Sequence, residues 1–255
     1  MVISHTYRYV FIEIPLTASW AIRHELCKYY EGEPILHKHA TYPEFLQAAS
    51  PQERNYFAFA TVRHPLDEAV SRYFKLKTDH SSAFSDPAAL EKLQIDESDL
   101  PKYRFIQETH ADFEAYFSRF HRHPFIGMID LSAPYLDAVI HYETLQADFA
   151  DLLVGLGIRQ VRPVPLVNKT AGRGADWQSY YTPAMVEQAR RSIGPFMRWW
   201  GYRFPAEWGQ CTLRQRDELA YRLLSVGQRQ YVSRFRYSDS LPGKAARRLK
   251  AALVR

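Results

Sequence analysis

Two cysteines, Cys27 and Cys211, are all that this chain of 255 residues carries. So small a number cannot build a disulfide framework, and both are read as free thiols. Long apolar runs are missing as well: none approaches the roughly 20 residues that a membrane-spanning helix requires. No charged-then-apolar segment precedes the first strand candidate, so the expectation is an unexported, cytoplasmic protein. The glycine-rich loops GxGxxG and GxxxxGK[ST] do not occur, nor does a nucleophile elbow of the hydrolase type. Dehydrogenase, nucleotidase and hydrolase chemistry therefore have little support. Internal repeats and low-complexity tracts are also absent.

What is present suits a folded α/β domain: 46% hydrophobic and 15% aromatic residues over this length can bury a substantial core. The net charge of +5 is modest but unevenly spread. From Cys211 onward eleven Lys/Arg stand against three acids, which puts +8 on the tail and leaves −3 on the remainder. A nucleic-acid-binding core is not indicated.

Strand and helix patterns alternate. Tyr9 to Ile14 is a nearly continuous β-branched and aromatic run, as in a parallel strand buried on both faces, and a helix follows to about Tyr30. Thr41 and Glu44 form a capping box for a short helix from Pro43 to Ala49. Tyr56 to Val62 is a second buried strand, and Pro65 opens a helix that continues through Lys77. Thr78 to Pro101 reads as an insertion or flap, Lys102 to His121 as a helix, Phe125 to Met128 and Ala138 to Tyr142 as short strands, and Glu143 to Leu156 as an amphipathic helix. Pro163 to Gly174 is a loop, and Thr182 with Pro183 begins a further helix. This order predicts a parallel, doubly wound sheet. A boundary near Pro205 to Gly209 divides a domain spanning 1–208 from a basic helical tail spanning 209–255, with one basic helix around Leu219, Leu223 and Val226 and another over Leu241 to Leu253.

Two strand-to-helix junctions carry chemistry, because ligands of open α/β sheets bind at the carboxyl ends of strands. The first, Pro15-Leu16-Thr17-Ala18-Ser19, aims helix N–H groups and the positive end of a helix dipole at one spot, which suits a phosphate or sulfate. At the second, Arg63 leaves the strand and Ser71 follows about two helical turns later. A guanidinium grips a phosphate in bidentate fashion and a hydroxyl adds a donor. A ligand with two separated phosphates would fill both.

These segments resemble the sulfotransferases that use 3′-phosphoadenosine 5′-phosphosulfate (PAPS), particularly the branch that contains carbohydrate sulfotransferases. The matching pieces are IPLTASWAI (Ile14 to Ile22), FATVRHPLDEAVSRYF (Phe59 to Phe74), HYETLQADFADLLVGLGI (His141 to Ile158), PLVNKT (Pro165 to Thr170) and WWGYRF ending at Phe204. Together they span about four-fifths of the chain in the family's order. The resemblance implies a P-loop-like three-layer α/β sandwich with a central parallel sheet, and PAPS as sulfuryl donor with PAP as product. It implies 5′ contacts from Leu16, Thr17, Ala18, Ser19 and Trp20, largely through backbone N–H groups. The 3′-phosphate contacts fall to Arg63 and Ser71, and the loop with Lys169 and Arg173 is a candidate for closing over the cofactor. The implied acceptor is a hydroxyl of a carbohydrate or glycoconjugate, and the scheme requires no metal.

One departure stands in the first loop, where the family usually has a lysine after the proline and this chain has Leu16. Arg23, Lys38, Lys75 or Lys169 are the candidates for supplying that charge. His39, or else His37, in the segment His37-Lys38-His39-Ala40-Thr41 resembles the family's histidine near the acceptor, and alternation on an extended segment points both the same way. Leu16 also motivates an alternative, a catalytically weak or inactive PAPS/PAP-binding protein with a regulatory or assembly role.

Simpler readings stand beside these. Thr17 or Ser19 is an ordinary helix cap, Arg63 pairs with Asp67, and Asn168, Lys169 and Arg173 belong to a solvated loop. The His37/His39 and His121/His123 pairs lack the further ligands of a zinc site. The basic tail is a solvated helical face, or a peripheral contact with an anionic membrane.

Overall fold

Val2-Ile3-Ser4 is too short to announce itself as a strand, yet it anchors one side of the only sheet among the described residues. In the computed structural model these are residues 1–86, 97–165, 167, 170–210 and 212–234. The five strands are β1 (Val2–Ser4), β2 (Tyr9–Ile12), β3 (Glu33–Pro34), β4 (Phe57–Val62) and β5 (Ala138–His141), in the order β3-β1-β2-β4-β5. β2, β4 and β5 run parallel, with Phe11 opposite Phe59 and Phe59 opposite Ala138. β1 is antiparallel to both β2 and β3.

The sheet is thus mixed, and the wholly parallel arrangement expected from sequence is corrected. Only four residues join β1 to β2, enough for a hairpin but far too few for the crossover a parallel pair needs. The fold is mixed α/β.

The chain forms two compact units: residues 1–63, 127–167 and 223–255 make the first, and 64–126 and 168–222 the second. Neither unit's limits fall at residue 208.

The first unit holds the whole sheet. Helix α1 (Ser19–Tyr29), helix α2 (Tyr42–Ala48), and later α6 (Met128–Ser132) and α7 (Leu145–Gly155) belong to it. Its core joins Tyr9, Phe11 and Phe59 of the sheet to Ala21, Ile22 and Leu26 of α1 and Phe149, Leu152 and Leu153 of α7. The Phe11 and Phe59 rings stack with centroids 5.0 Å apart. The capping box forms as expected, Glu44 Oε2 accepting from the Thr41 backbone N–H at 2.8 Å. The strand expected at Phe125 to Met128 is not one. Asp130 draws the Gly127 N–H at 2.8 Å, a reciprocal bond that starts helix α6.

The second unit is helical: α3 (Pro65–Lys77), α4 (Leu100–Thr109), α5 (Phe113–Phe120) and α8 (Val186–Trp199), with helix α9 (Gln215–Arg234) beginning in it. Helix α3 has the limits that sequence predicts. Lys102 to His121, expected as one helix, is two. His110 takes a left-handed conformation (φ 51°), and the Asp112 side chain then caps a new start by accepting from Ala115 N–H at 2.9 Å. The core is aromatic, with Tyr73, Phe113, Tyr116, Phe117 and Tyr181 packed in edge-to-face and tilted pairs. No described helix is long and apolar enough to cross a membrane. Part of the flap (87–96), Lys169 and the second basic helix lie outside the described residues.

Candidate functional site

The turn between β2 and α1 is built from backbone in an unusual state. Leu16 (φ 66°) and Ala18 (φ 61°) both lie in the left-handed region that side chains bearing Cβ disfavour, while Thr17 between them does not. Alternating handedness of this kind turns successive N–H groups toward one side and forms an anion-binding concavity. Left-handed Ala18 is also the residue before helix α1, and no side chain caps that helix. Its first turn contains no acidic residue, so the positive end of the helix dipole is left uncompensated there.

The Thr17 hydroxyl does not point toward a ligand. It is buried, donates to the Ile14 carbonyl at 2.7 Å, and shares a further short hydrogen bond with the Thr61 hydroxyl on β4. What Thr17 has left to offer is main chain. Ser19 is buried, and the exposed Trp20 stacks on His24 with centroids 5.6 Å apart.

Arg63, at the end of β4, reaches this turn. Its Nη1 donates to the Leu16 carbonyl at 2.9 Å, and its guanidinium lies 4.2 Å from the centroid of the Tyr142 ring. The arginine is 7% exposed, so its charge is weakly screened. Tyr142 entered the sequence reading only as the end of an expected short strand and within the matching piece from His141 to Ile158, with no role of its own.

Leu16 leaves the turn without a lysine, and Arg23, one of the candidates to replace that charge, is already committed. Glu13, fully buried at the end of the strand run, accepts from Arg23 Nη1 at 2.7 Å and from the Met1 backbone nitrogen at 2.6 Å. A charged residue closing an otherwise apolar run was the visible sign that Glu13 has a partner. Arg23 is therefore tied to Glu13, a carboxylate that it shares with the Met1 nitrogen.

The two histidines differ. The segment that carries them is a turn, closed by Ala40 N–H donating to the His37 carbonyl at 3.1 Å, so the expected alternation does not apply. His37 Nε2 sits 2.6 Å from Glu44 Oε1, in the cap of α2. His39 Nδ1 lies 2.8 Å from the Glu13 carbonyl oxygen and donates to it, which leaves Nε2 as the acceptor nitrogen. Burial pushes the His39 pKa below its ordinary value, against a smaller opposing contribution from the Glu13 carbonyl. His39 is thus neutral near pH 7 in the tautomer a general base requires.

In the second unit, Ser71 and Arg173 meet. Arg173 Nη1 donates to Ser71 Oγ and Nη2 to Asp67 Oδ1, both short contacts. Ser71 is fully buried on α3, and Asp67 lies one turn earlier on the same helix. Gly172, next to Arg173, is left-handed (φ 71°), a conformation that glycine adopts without steric cost. The pairing of Asp67 with Arg173 was not foreseen, since the sequence offered Arg63 as the obvious partner.

Among the described residues no group of three or more His, Cys, Asp or Glu is arranged to hold a metal ion. No family model, no curated protein and no solved structure matches the chain.

Proposed function

We propose that the protein is a PAPS-dependent sulfotransferase with a P-loop-like fold, acting on a hydroxyl of a carbohydrate or glycoconjugate. The observation that carries this reading is the Pro15–Ser19 turn: alternating left-handed residues ahead of an uncapped helix, with Arg63 bonded to the turn's own carbonyl. That combination offers backbone donors and a helix dipole to one oxyanion, as the 5′ end of such a nucleotide requires, and sets a guanidinium beside the turn.

Bound PAPS supplies the sulfuryl group, and the nucleotide leaves as PAP. The protein's part is to bind, orient and move one proton. The turn holds the 5′ end through main-chain N–H groups and the helix dipole. Arg63 holds the turn in shape and adds charge; through the resemblance, Arg63 and Ser71 are read as the contacts of the 3′-phosphate, and the loop with Arg173 as the one that closes over the cofactor. His39 Nε2 takes the proton that the acceptor hydroxyl loses, and the Glu13 carbonyl fixes the ring so that this nitrogen stays unprotonated.

The test is calorimetry with 3′,5′-bisphosphorylated adenosine together with labelled sulfate transfer from PAPS into a panel of glycans and lipids. Saturable binding and transfer are expected, and absence of binding overturns the reading. A second reading, a PAP-binding protein with little or no turnover, is favoured by a specific pair of facts: Leu16 stands where the resemblance expects a lysine, and Arg23 is held by Glu13. Binding without transfer to any acceptor selects it.

A further inference from the structure

We propose that helix α9 is a docking face for an anionic lipid membrane, independent of the nucleotide chemistry above. Leu219, Leu223 and Val226 recur at the i, i+4, i+7 spacing of a single helical stripe and are 58%, 64% and 51% exposed. Three large aliphatic side chains in one exposed row are not scattered surface residues.

The charges on the helix are sorted around that stripe. Arg216, Arg222 and Arg234 are exposed, and at 100° per residue Arg216 and Arg222 fall on opposite flanks of it. The helix's two acids are turned inward, Asp217 and Glu218 being 19% and 22% exposed. Glu218 is held by Arg198, and Asp217 lies beside Arg216. The outward face is therefore apolar at its centre and cationic at its rim, which complements an anionic bilayer surface.

Trp199, 59% exposed at the end of α8, lines a groove with Tyr221 and Arg222 of α9. An exposed indole beside arginines suits the headgroup level of a membrane. The sequence beyond the helix adds Arg236, Lys244, Arg247, Arg248, Lys250 and Arg255 against the single acid Asp239. Diffuse charge of this kind matches the continuous negative potential of a lipid surface better than a discrete acidic protein patch.

The experiment is co-sedimentation of the full chain with phosphatidylcholine vesicles, with and without about 30 mol% phosphatidylserine. Binding is expected to the anionic vesicles only, and to fall as salt is raised. Arg216→Ala with Arg222→Ala should weaken it about twenty-five-fold, at about fivefold per arginine. Leu219→Ser, Leu223→Ser and Val226→Ser together should weaken it at least about tenfold, with the far-ultraviolet circular dichroism unchanged. No binding to anionic vesicles overturns the proposal, and so does binding that survives the triple serine variant, which assigns attachment to charge elsewhere. Self-association of the wild type that the serine variant abolishes, without vesicle binding, assigns the face to a second copy and likewise overturns it.

Discussion

The two anion-binding candidates of this molecule are made of different material. In the first unit the Pro15–Ser19 turn offers main chain, with left-handed Leu16 and Ala18 ahead of a helix whose start is neither capped nor balanced by an acid. In the second, Ser71 and Arg173 offer side chains, and Asp67 already occupies the guanidinium. The backbone device has its donors fixed by strain and its field uncompensated, so an anion that enters meets an attraction in place. The side-chain device already spends both Nη atoms of Arg173 and leaves only its buried Nε without a partner, so an anion must share the guanidinium with a carboxylate. Preorganisation thus belongs to the turn and adjustability to the arginine.

The largest effects are expected where the first unit's fixed geometry meets chemistry. His39→Ala removes the nitrogen set by the Glu13 carbonyl, and sulfate transfer should drop by about two to four orders of magnitude in kcat. Affinity for bisphosphorylated adenosine should stay unchanged, since calorimetry does not read the proton transfer. Because burial lowers the folded-state pKa of His39, the neutral base persists as pH falls past its ordinary value of 6.5. The acid limb of the wild-type rate profile should therefore lie below that value. A limb at or above it, or full activity in the alanine variant, removes His39 from this role. Arg63→Ala comes next. It deletes a buried, charge-assisted hydrogen bond to Leu16 O and the charge beside the turn, so nucleotide affinity should fall by roughly 2–3 kcal/mol. An equal affinity in calorimetry denies the turn its arginine.

Asp67→Asn tests the other side of the comparison. Asparagine keeps an acceptor for Arg173 but removes the competing charge, so nucleotide affinity should rise by about 1 kcal/mol while thermal stability falls. If affinity falls instead, Asp67 serves to orient the guanidinium, and the second unit is as preorganised as the first.

The contrast also governs what the sequence reveals. Helix α3 and strands β2, β4 and β5 are legible because each follows from a local run: an apolar strand, a Pro at a helix start, or a Gly at a helix end. The turn after β2 is legible for the same reason, since Pro15 to Ser19 leaves no room for anything but a tight connection. What is not legible depends on partners far away in the chain. β1 is three residues whose strand character comes from pairing with β2 and β3, and its direction makes the sheet mixed. The break at His110 depends on one left-handed residue and the Asp112 cap. Asp67 and Arg173 are 106 residues apart, and no pattern in either segment names the other. Likewise, His37 and His39 share a spacing but part company because one answers to Glu44 and the other to the Glu13 carbonyl.

The smallest expected effect isolates the strain itself. Ala18 is held at φ 61° immediately before helix α1, a conformation that costs an L residue with Cβ about 1–2 kcal/mol and glycine almost nothing. Against this, glycine gives the unfolded chain extra freedom, which returns about 0.5–1 kcal/mol of the gain. Ala18→Gly should therefore leave stability unchanged or raise it by up to about 1 kcal/mol, whereas Ala→Gly at an ordinary helical position lowers it by a similar amount. Chemical denaturation reads the sign. The same variant loosens a concavity whose donors are fixed by backbone, so nucleotide affinity should fall slightly even as the protein becomes no less stable. Opposite movements of stability and affinity at one methyl group mark strain retained for binding. A loss of stability of about 1 kcal/mol would instead make Ala18 an ordinary helix start, and the first unit would lose the feature that separates it from the second.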